Sequence, residues 1–123
     1  MVRTKVSSEQ LRAGLAAYTG TERWFRHWTR HFLYTEGIDY LAETAHAHWL
    51  IDLIASWCCD PRIHAQEFVT WKPTVHANRS TTAVATDGND HELVRQDIGW
   101  TDFPLDEITL YLTNDTLLLP SEY

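Results

Sequence analysis

Cysteine is scarce in this 123-residue chain, whose two cysteines, Cys58 and Cys59, are adjacent. A disulfide between neighbouring residues would be strained and would close almost no loop, so no disulfide framework is predicted. A chain of this length can bury a hydrophobic core without disulfide or metal support. The lack of disulfides is typical of a reducing compartment and predicts a cytoplasmic protein.

Long hydrophobic runs are missing as well. The basic N-terminal residues lead directly into the polar segment 7–10 and not into the apolar stretch of a secretory signal. No segment approaches the roughly 18 uninterrupted apolar residues of a membrane span. We therefore expect a soluble protein with no membrane partner.

Positive charge is limited and unevenly distributed. The net charge is −7, but residues 1–35 carry six Lys and Arg against two Asp and Glu, whereas residues 36–123 carry four against fifteen. An acidic chain repels a polyanion at long range, which argues against nucleic-acid binding by bulk charge. Only the N-terminal quarter has the charge to bind one.

Common catalytic motifs are also absent: the sequence has no Gly-x-Ser-x-Gly elbow, no Gly-rich phosphate loop with a lysine and no His-Glu-x-x-His. Asp52 is the most interesting isolated group, because it lies in an apolar helical segment and a buried carboxylate needs a partner or a shifted pKa. We expect it instead to contact Arg26, Arg30 or a backbone donor, or to face water. No catalytic residue and no cofactor is therefore predicted.

Metal binding is disfavoured by the spacing of the candidate ligands. His27 and His31 are four residues apart, which suits two metal ligands only if the segment is helical. Cys58, Cys59 and His64 match no common zinc pattern. We predict no metal site.

The chain is predicted to form a single domain over residues 1–123, because it contains no internal repeat, low-complexity segment or linker. Ser7 followed by Gln10 is a capping-box pattern that starts a short amphipathic helix over about residues 8–18. Apolar residues at helical spacing continue from Ile38 to Trp57, which predicts a long central helix. Pro61 prevents the helix from continuing.

Beyond this helix the apolar pattern has a period of two, which is typical of strands. The strand-like segments are EFVTWKPTV, STTAVATDGNDHELVRQDI with a hairpin turn at Asp87-Gly88, ITLYLTND and TLLLP. We predict an α+β fold in which an antiparallel β-meander packs against the long central helix, with a short N-terminal helix.

The segment RWFRHWTRHF, residues 23–32, combines four aromatic residues with three arginines and two histidines. As a helix it would align its aromatic residues on one face. As a hairpin it would pair residues 21–28 with residues 31–35 through a turn near Thr29 and Arg30. The flanking glycines and the aromatic content favour the hairpin.

We expect the aromatic rings of this hairpin to be hidden from solvent. In the hairpin, Trp24, Trp28 and Tyr34 are predicted to pack against the following helix, because a small domain must bury most of its apolar area. The arginines are then expected to be solvated or paired with acidic residues of the second half.

Several short blocks occur in order along the chain: YTGTE (18–22), YTEG (34–37), YLAE (40–43), WLIDLIAS (49–56), DGN (87–89), TDFPLDEITLY (101–111) and LLLPSEY (117–123). In these blocks, from about Leu11 to the last residue, the chain resembles a family of small bacterial proteins known only as a domain of unknown function. The resemblance implies no activity, cofactor or catalytic residue. It does imply an accessory or host-defence role encoded by a mobile element. His46 and His48 depart from the pattern, so no shared role is implied for them.

The first functional hypothesis is a small non-catalytic binding protein that engages another protein. Trp71 and Trp100 would be natural interface anchors if they stand outside the core.

The alternative is a single-stranded nucleic-acid binder, in which the segment 23–32 supplies cations and stacking faces through Arg23, Arg26, Trp28 and Arg30. The competing interpretation of the same segment is an ordinary core.

A second alternative is an inhibitor that presents an acidic surface to a basic partner. Residues 87–107 hold seven Asp and Glu, with Arg95 as the one Lys or Arg among them. Asp102 is a candidate binding residue in this segment, although its place before Pro104 predicts that it caps a turn.

Overall fold

The computed structural model describes residues 7–123; residues 1–6, which begin the segment considered above as a secretory signal, lie outside the described part. The fold class is α+β, as predicted. The described residues form, in chain order, α1 (Ser8–Ala16), β1 (Trp24–Arg26), β2 (Leu33–Thr35), α2 (Glu36–Ala45), α3 (His48–Trp57), α4 (Pro61–His64), β3 (Phe68–Val75), β4 (Thr81–Asp87), β5 (Glu92–Ile98), β6 (Leu110–Thr113), β7 (Thr116–Leu118) and a 3-10 helix (Pro120–Glu122).

The predicted N-terminal helix is confirmed as α1. The Ser7 hydroxyl accepts a hydrogen bond from the Gln10 N–H, and the Gln10 side chain accepts one from the Ser7 N–H, so the capping box is formed. The helix ends at Ala16 and not at residue 18. It is anchored to the core by Leu11, which is fully buried.

The predicted long central helix is wrong: the segment forms two helices, α2 and α3, separated at His46. His46 has φ 55°, and the N–H groups of His46 and Ala47 both point to the carbonyl of Ala42, which ends α2 in a left-handed cap. A non-glycine residue rarely adopts this conformation. The apolar pattern gave no sign of the break, because Ala45 and Ala47 are buried on either side of it.

The strands form one seven-stranded sheet with the order β1-β2-β7-β6-β3-β4-β5. The predicted meander holds for β3, β4 and β5 and again for the β6–β7 pair, but β5 and β6 are not neighbours in the sheet. β6 pairs with the opposite side of β3, and β7 pairs in parallel with β2, so the sheet is mixed.

The meander stops at β5 because the loop 99–109 carries the chain back to the other side of β3. Arg79 holds this loop: its guanidinium donates to the carbonyls of Thr101 and Phe103 at 3.0 and 2.7 Å. Val75 donates its N–H to the carbonyl of Asp106. These contacts join residues far apart in sequence, so no local pattern predicts them.

The helices cover one face of the sheet. Trp71 at the centre of β3 is fully buried and shares one hydrophobic cluster with Ile38 of α2 and Ile54 of α3. The Trp57 Nε1–H donates to Gln96 Oε1 at 2.7 Å and so connects α3 to the edge strand β5. Trp71 therefore belongs to the core and is not the interface anchor considered above.

A single carboxylate connects the C-terminal segment to the start of α2, and we call this arrangement the Glu122 junction. One oxygen of Glu122 accepts from the Thr35 hydroxyl at 2.6 Å and from the Leu119 N–H at 3.0 Å. The other accepts from the Gly37 N–H and the Thr21 hydroxyl, each at 3.3 Å. An acidic group at a helix N-terminus is also favoured by the helix dipole.

Gly37→Ala tests how tightly the Glu122 junction is packed. An added Cβ would lie 2.5 Å from Glu122 Oε1 and 2.7 Å from Leu119 Cδ1, so one of these groups must move. We expect the free energy of unfolding to fall by about 1 to 3 kcal/mol, as measured by urea denaturation. Gly20→Ala is the control, since nothing lies within 4 Å of its added Cβ. Equal losses in the two variants would contradict the prediction.

Candidate functional site

The segment 23–32 forms the predicted hairpin. β1 pairs antiparallel with β2, with Phe25 opposite Tyr34 and Arg26 opposite Leu33. The His27 N–H continues the ladder to the Phe32 carbonyl at 3.0 Å. The hairpin is attached to the rest of the sheet by the parallel pairing of β2 with β7, which makes β1 an edge strand.

The expectation that both indoles of the hairpin are buried is wrong. Trp24 is 52% exposed and Trp28 is 77% exposed, whereas Phe32 is 2% exposed and His27 is 4% exposed. Within β1 the burial alternates with the strand period of two, since Trp24 and Arg26 are exposed and Phe25 between them is partly buried. Trp24 and Arg26 therefore share the exposed face of β1, and Trp28 is exposed in the turn that follows. The other expectation for this region holds, since Tyr34 packs against the core.

Trp28 is held in place although it is exposed. Its Nε1–H donates to Asp52 Oδ1 at 3.0 Å, and the same oxygen accepts from His27 Nε2 at 2.7 Å. The Thr29 N–H donates to His27 Nδ1, so this nitrogen is the acceptor and Nε2 carries the proton. The sequence gave no sign of this His27–Asp52–Trp28 cluster, because α3 brings Asp52 to the hairpin from 24 to 25 positions away.

Asp52 therefore has neither an arginine partner nor a buried position; its side chain is 52% exposed. Partial burial acts to raise the pKa of Asp52, but the hydrogen bonds from His27 and Trp28 outweigh it and hold the pKa below its usual value. The carboxylate is charged near neutral pH and accepts from both rings.

The three arginines of the hairpin are exposed, and none of them has a carboxylate partner within residues 7–123. Other arginines of the described chain are engaged: Arg62 pairs with Asp60, and Arg95 pairs with Glu92. The hairpin arginines were expected to be either solvated or paired with acidic residues, and the described residues show the first alternative. Arg23, Arg26 and Arg30 remain available to a ligand.

A groove of about 810 Å³ adjoins the tip of the hairpin. Arg30 and His31 form one wall, the junction of α3 and α4 forms a second, and the start of β3 with the β6–β7 turn forms a third. Aromatic side chains also line it, including Phe68 and Tyr123, whose rings are 5.4 Å apart. The groove lies within the size range of small-molecule sites.

The remaining candidate residues lie elsewhere, in the loop 99–109. Trp100 is 66% exposed and lies outside the core, so it remains a candidate anchor for a protein interface. Asp102 is not the cap of its turn, because the Phe103 N–H donates to the Thr101 hydroxyl. Thr101 is the buried residue of the pair and is therefore the better placed acceptor.

The acidic segment 87–107 is partly neutralised by its own surroundings. Asp87 accepts hydrogen bonds from the turn that follows it, including the backbone N–H of His91. Glu92 pairs with Arg95, and Glu107 lies 3.5 Å from the Lys72 ammonium group. These contacts reduce the clustered negative charge on which the inhibitor hypothesis depends.

Within residues 7–123 no group of three or more His, Cys, Asp or Glu side chains is arranged to hold a metal ion. None of the helices in the same range is both long enough and apolar enough to cross a membrane.

The fold and this surface describe an α+β protein with one mixed sheet and an exposed, cationic and aromatic edge hairpin. The chain belongs to the Family of unknown function (DUF6876), whose family model matches residues 9–123. No curated protein and no solved structure matches the chain.

The His27–Asp52–Trp28 cluster predicts a pH-dependent contribution to stability. Because the pKa of Asp52 is lowered in the folded state, the charged form is stabilised above the unfolded pKa, and this contribution is lost as the pH falls through the folded pKa. We expect Asp52→Asn to lower the free energy of unfolding more at pH 5 than at pH 3, by about 0.5 kcal/mol because the group is half exposed.

Urea denaturation at the two pH values measures this difference. Asp106→Asn is the control, since the Asp106 side chain is exposed and takes part in none of the ion pairs of the described chain. A loss in Asp52→Asn that is independent of pH would refute the prediction.

Proposed function

We propose that this protein binds single-stranded nucleic acid through the β1–β2 hairpin. The observation that carries the proposal is Trp28, whose side chain is 77% exposed and is nevertheless fixed by its hydrogen bond to Asp52. An indole with its face open to solvent is a surface on which a base stacks. Trp24 supplies a second exposed indole, on β1.

The fixed position of Trp28 favours binding. Ordering a mobile interface side chain costs about 0.5 to 1.5 kcal/mol, and a side chain that is already ordered avoids most of that cost. Asp52 orders Trp28 by accepting the hydrogen bond from its indole N–H. The same carboxylate oxygen also accepts a hydrogen bond from His27. The cluster therefore acts as the support of the stacking surface.

The hairpin arginines supply the contacts to phosphate. Arg26 lies between the two exposed indoles, and Arg23 and Arg30 lie at the ends of the segment, so cations and stacking faces alternate along it. At physiological salt, charges more than about 8 Å apart are largely screened. Arginines in contact with a phosphate therefore outweigh the net charge of −7 that the chain carries as a whole.

We expect a strand with unpaired bases and little sequence preference. A base can stack on an indole only when it is not stacked or paired with other bases, so a single strand is favoured. Every base has an aromatic face, so little sequence preference is expected.

A protein partner is the second candidate, and Trp100 is the observation that favours it. Its side chain is 66% exposed in a loop that Arg79 holds in place, which suits an interface anchor. Non-catalytic binding is common to both candidates. The accessory role on a mobile element stays a prediction.

Replacing Arg23, Arg26 and Arg30 together by glutamine tests the phosphate contacts. We expect weaker binding of a fluorescein-labelled oligothymidylate, measured by fluorescence anisotropy over a range of salt concentrations. The slope of log K against log salt should become shallower by about 2, because three phosphate contacts to a single strand are lost.

The matched control is the triple variant Arg12→Gln, Arg62→Gln and Arg95→Gln, which changes the net charge equally and replaces exposed residues outside the hairpin. It should keep the wild-type salt slope. Equal slopes in the two triple variants would exclude the hairpin as the phosphate-binding surface. Failure of the wild type to bind the oligonucleotide at low salt would leave the protein-partner candidate in first place.

Trp28→Ala and Trp28→Phe separate stacking from the hydrogen bond to Asp52. The alanine variant should lose about 1 to 3 kcal/mol of binding free energy, because one stacking face is removed. The phenylalanine variant keeps a ring face and should lose less. Trp100→Ala is the control among exposed indoles and should bind the oligonucleotide like the wild type; the opposite order of losses would contradict the proposal.

A further inference from the structure

The groove beside the hairpin brings together two thiols and two imidazoles, none of which takes part in the proposed stacking surface. Cys58, Cys59, His31 and His64 all line it. Both cysteines are free. The sequence offered no reason to connect His31 with Cys59, because 28 positions separate them.

The two thiols differ in their surroundings. The Cys58 Sγ–H donates to the Ile54 carbonyl at 3.4 Å, and burial raises the pKa of Cys58 to about 11, so this thiol stays protonated and occupied. Cys59 is exposed, and its Sγ lies 3.7 Å from Nε2 and 3.9 Å from Nδ1 of His31. Only Cys59 has both access to solvent and a base beside it.

We propose that Cys59, assisted by His31, is a thiol–disulfide exchange site for a small peptide disulfide of the oxidised glutathione type. The groove is large enough for such a ligand, and Gln66, Thr113 and Asn114 offer hydrogen-bonding partners for a peptide. Arg30 at its rim suits the carboxylates of the peptide.

The exchange balances without any other reactant. The imidazole of His31 takes the proton of the Cys59 thiol, and the thiolate attacks one sulfur of the disulfide. A bond forms between Cys59 Sγ and that sulfur as the original S–S bond breaks. The departing thiolate takes the proton from His31 and leaves as the free thiol. One half of the peptide disulfide is thereby reduced to a thiol, and Cys59 is oxidised to a mixed disulfide with the other half.

The test is the incubation of the reduced full-length protein with oxidised glutathione, followed by intact-mass and peptide-mapping mass spectrometry. We expect one glutathione adduct, located on Cys59, and no adduct in Cys59→Ser. His31→Gln should slow adduct formation about tenfold, the effect of losing one hydrogen bond to a charged group.

His64→Gln is the matched control, because His64 lines the same groove but forms no hydrogen bond with either thiol among the described residues. It should react at the wild-type rate, and both histidine variants should keep the wild-type thermal unfolding temperature. The proposal is overturned by an adduct on Cys58, by no adduct at all, or by equal rates in His31→Gln and wild type.

Discussion

The position of the hairpin depends on the carboxylate of Glu122. Its oxygens bond to the Thr35 hydroxyl at the end of β2 and to the Gly37 N–H at the start of α2. β2 has few other ties to the sheet, because its parallel pairing with β7 spans only Leu33 and Tyr34. The C-terminal segment therefore fixes β2, the strand that pairs with β1 and so positions the segment that carries the exposed indoles and arginines.

A second carboxylate, that of Asp52, holds His27 and Trp28 of the hairpin in place. His27 is buried, and a buried imidazole needs partners for both ring nitrogens. Asp52 and Thr29 satisfy them, and the same Asp52 oxygen orients Trp28. One carboxylate oxygen thus holds both a buried imidazole and an exposed indole. Without Asp52, the hairpin would keep its backbone pairing but lose the constraint on its most exposed indole.

The sequence was most informative where structure is local. The capping box of α1, the hairpin at residues 23–32 and the Asp87-Gly88 turn follow from neighbouring residues, and all three are present. The break at His46 was missed because a left-handed histidine leaves the apolar pattern intact. The sheet order was missed because it rests on distant contacts such as those of Arg79 with the loop 99–109. The exposure of Trp24 had a usable signal, since the strand period places it on the same face as Arg26.

Three of the short sequence blocks on which the resemblance was based meet at one place in the fold. YTGTE contains Thr21, YTEG contains Thr35 and Gly37, and LLLPSEY contains Glu122, so three of these blocks meet at the Glu122 junction. Residues 23–33, with the exposed indoles and arginines, lie between two of the blocks. These three blocks therefore contain the residues that attach the hairpin, whereas the indoles and arginines on which the proposed binding depends lie outside them. Asp52 is the exception, because it lies within the block WLIDLIAS and accepts the hydrogen bond from Trp28 of the hairpin.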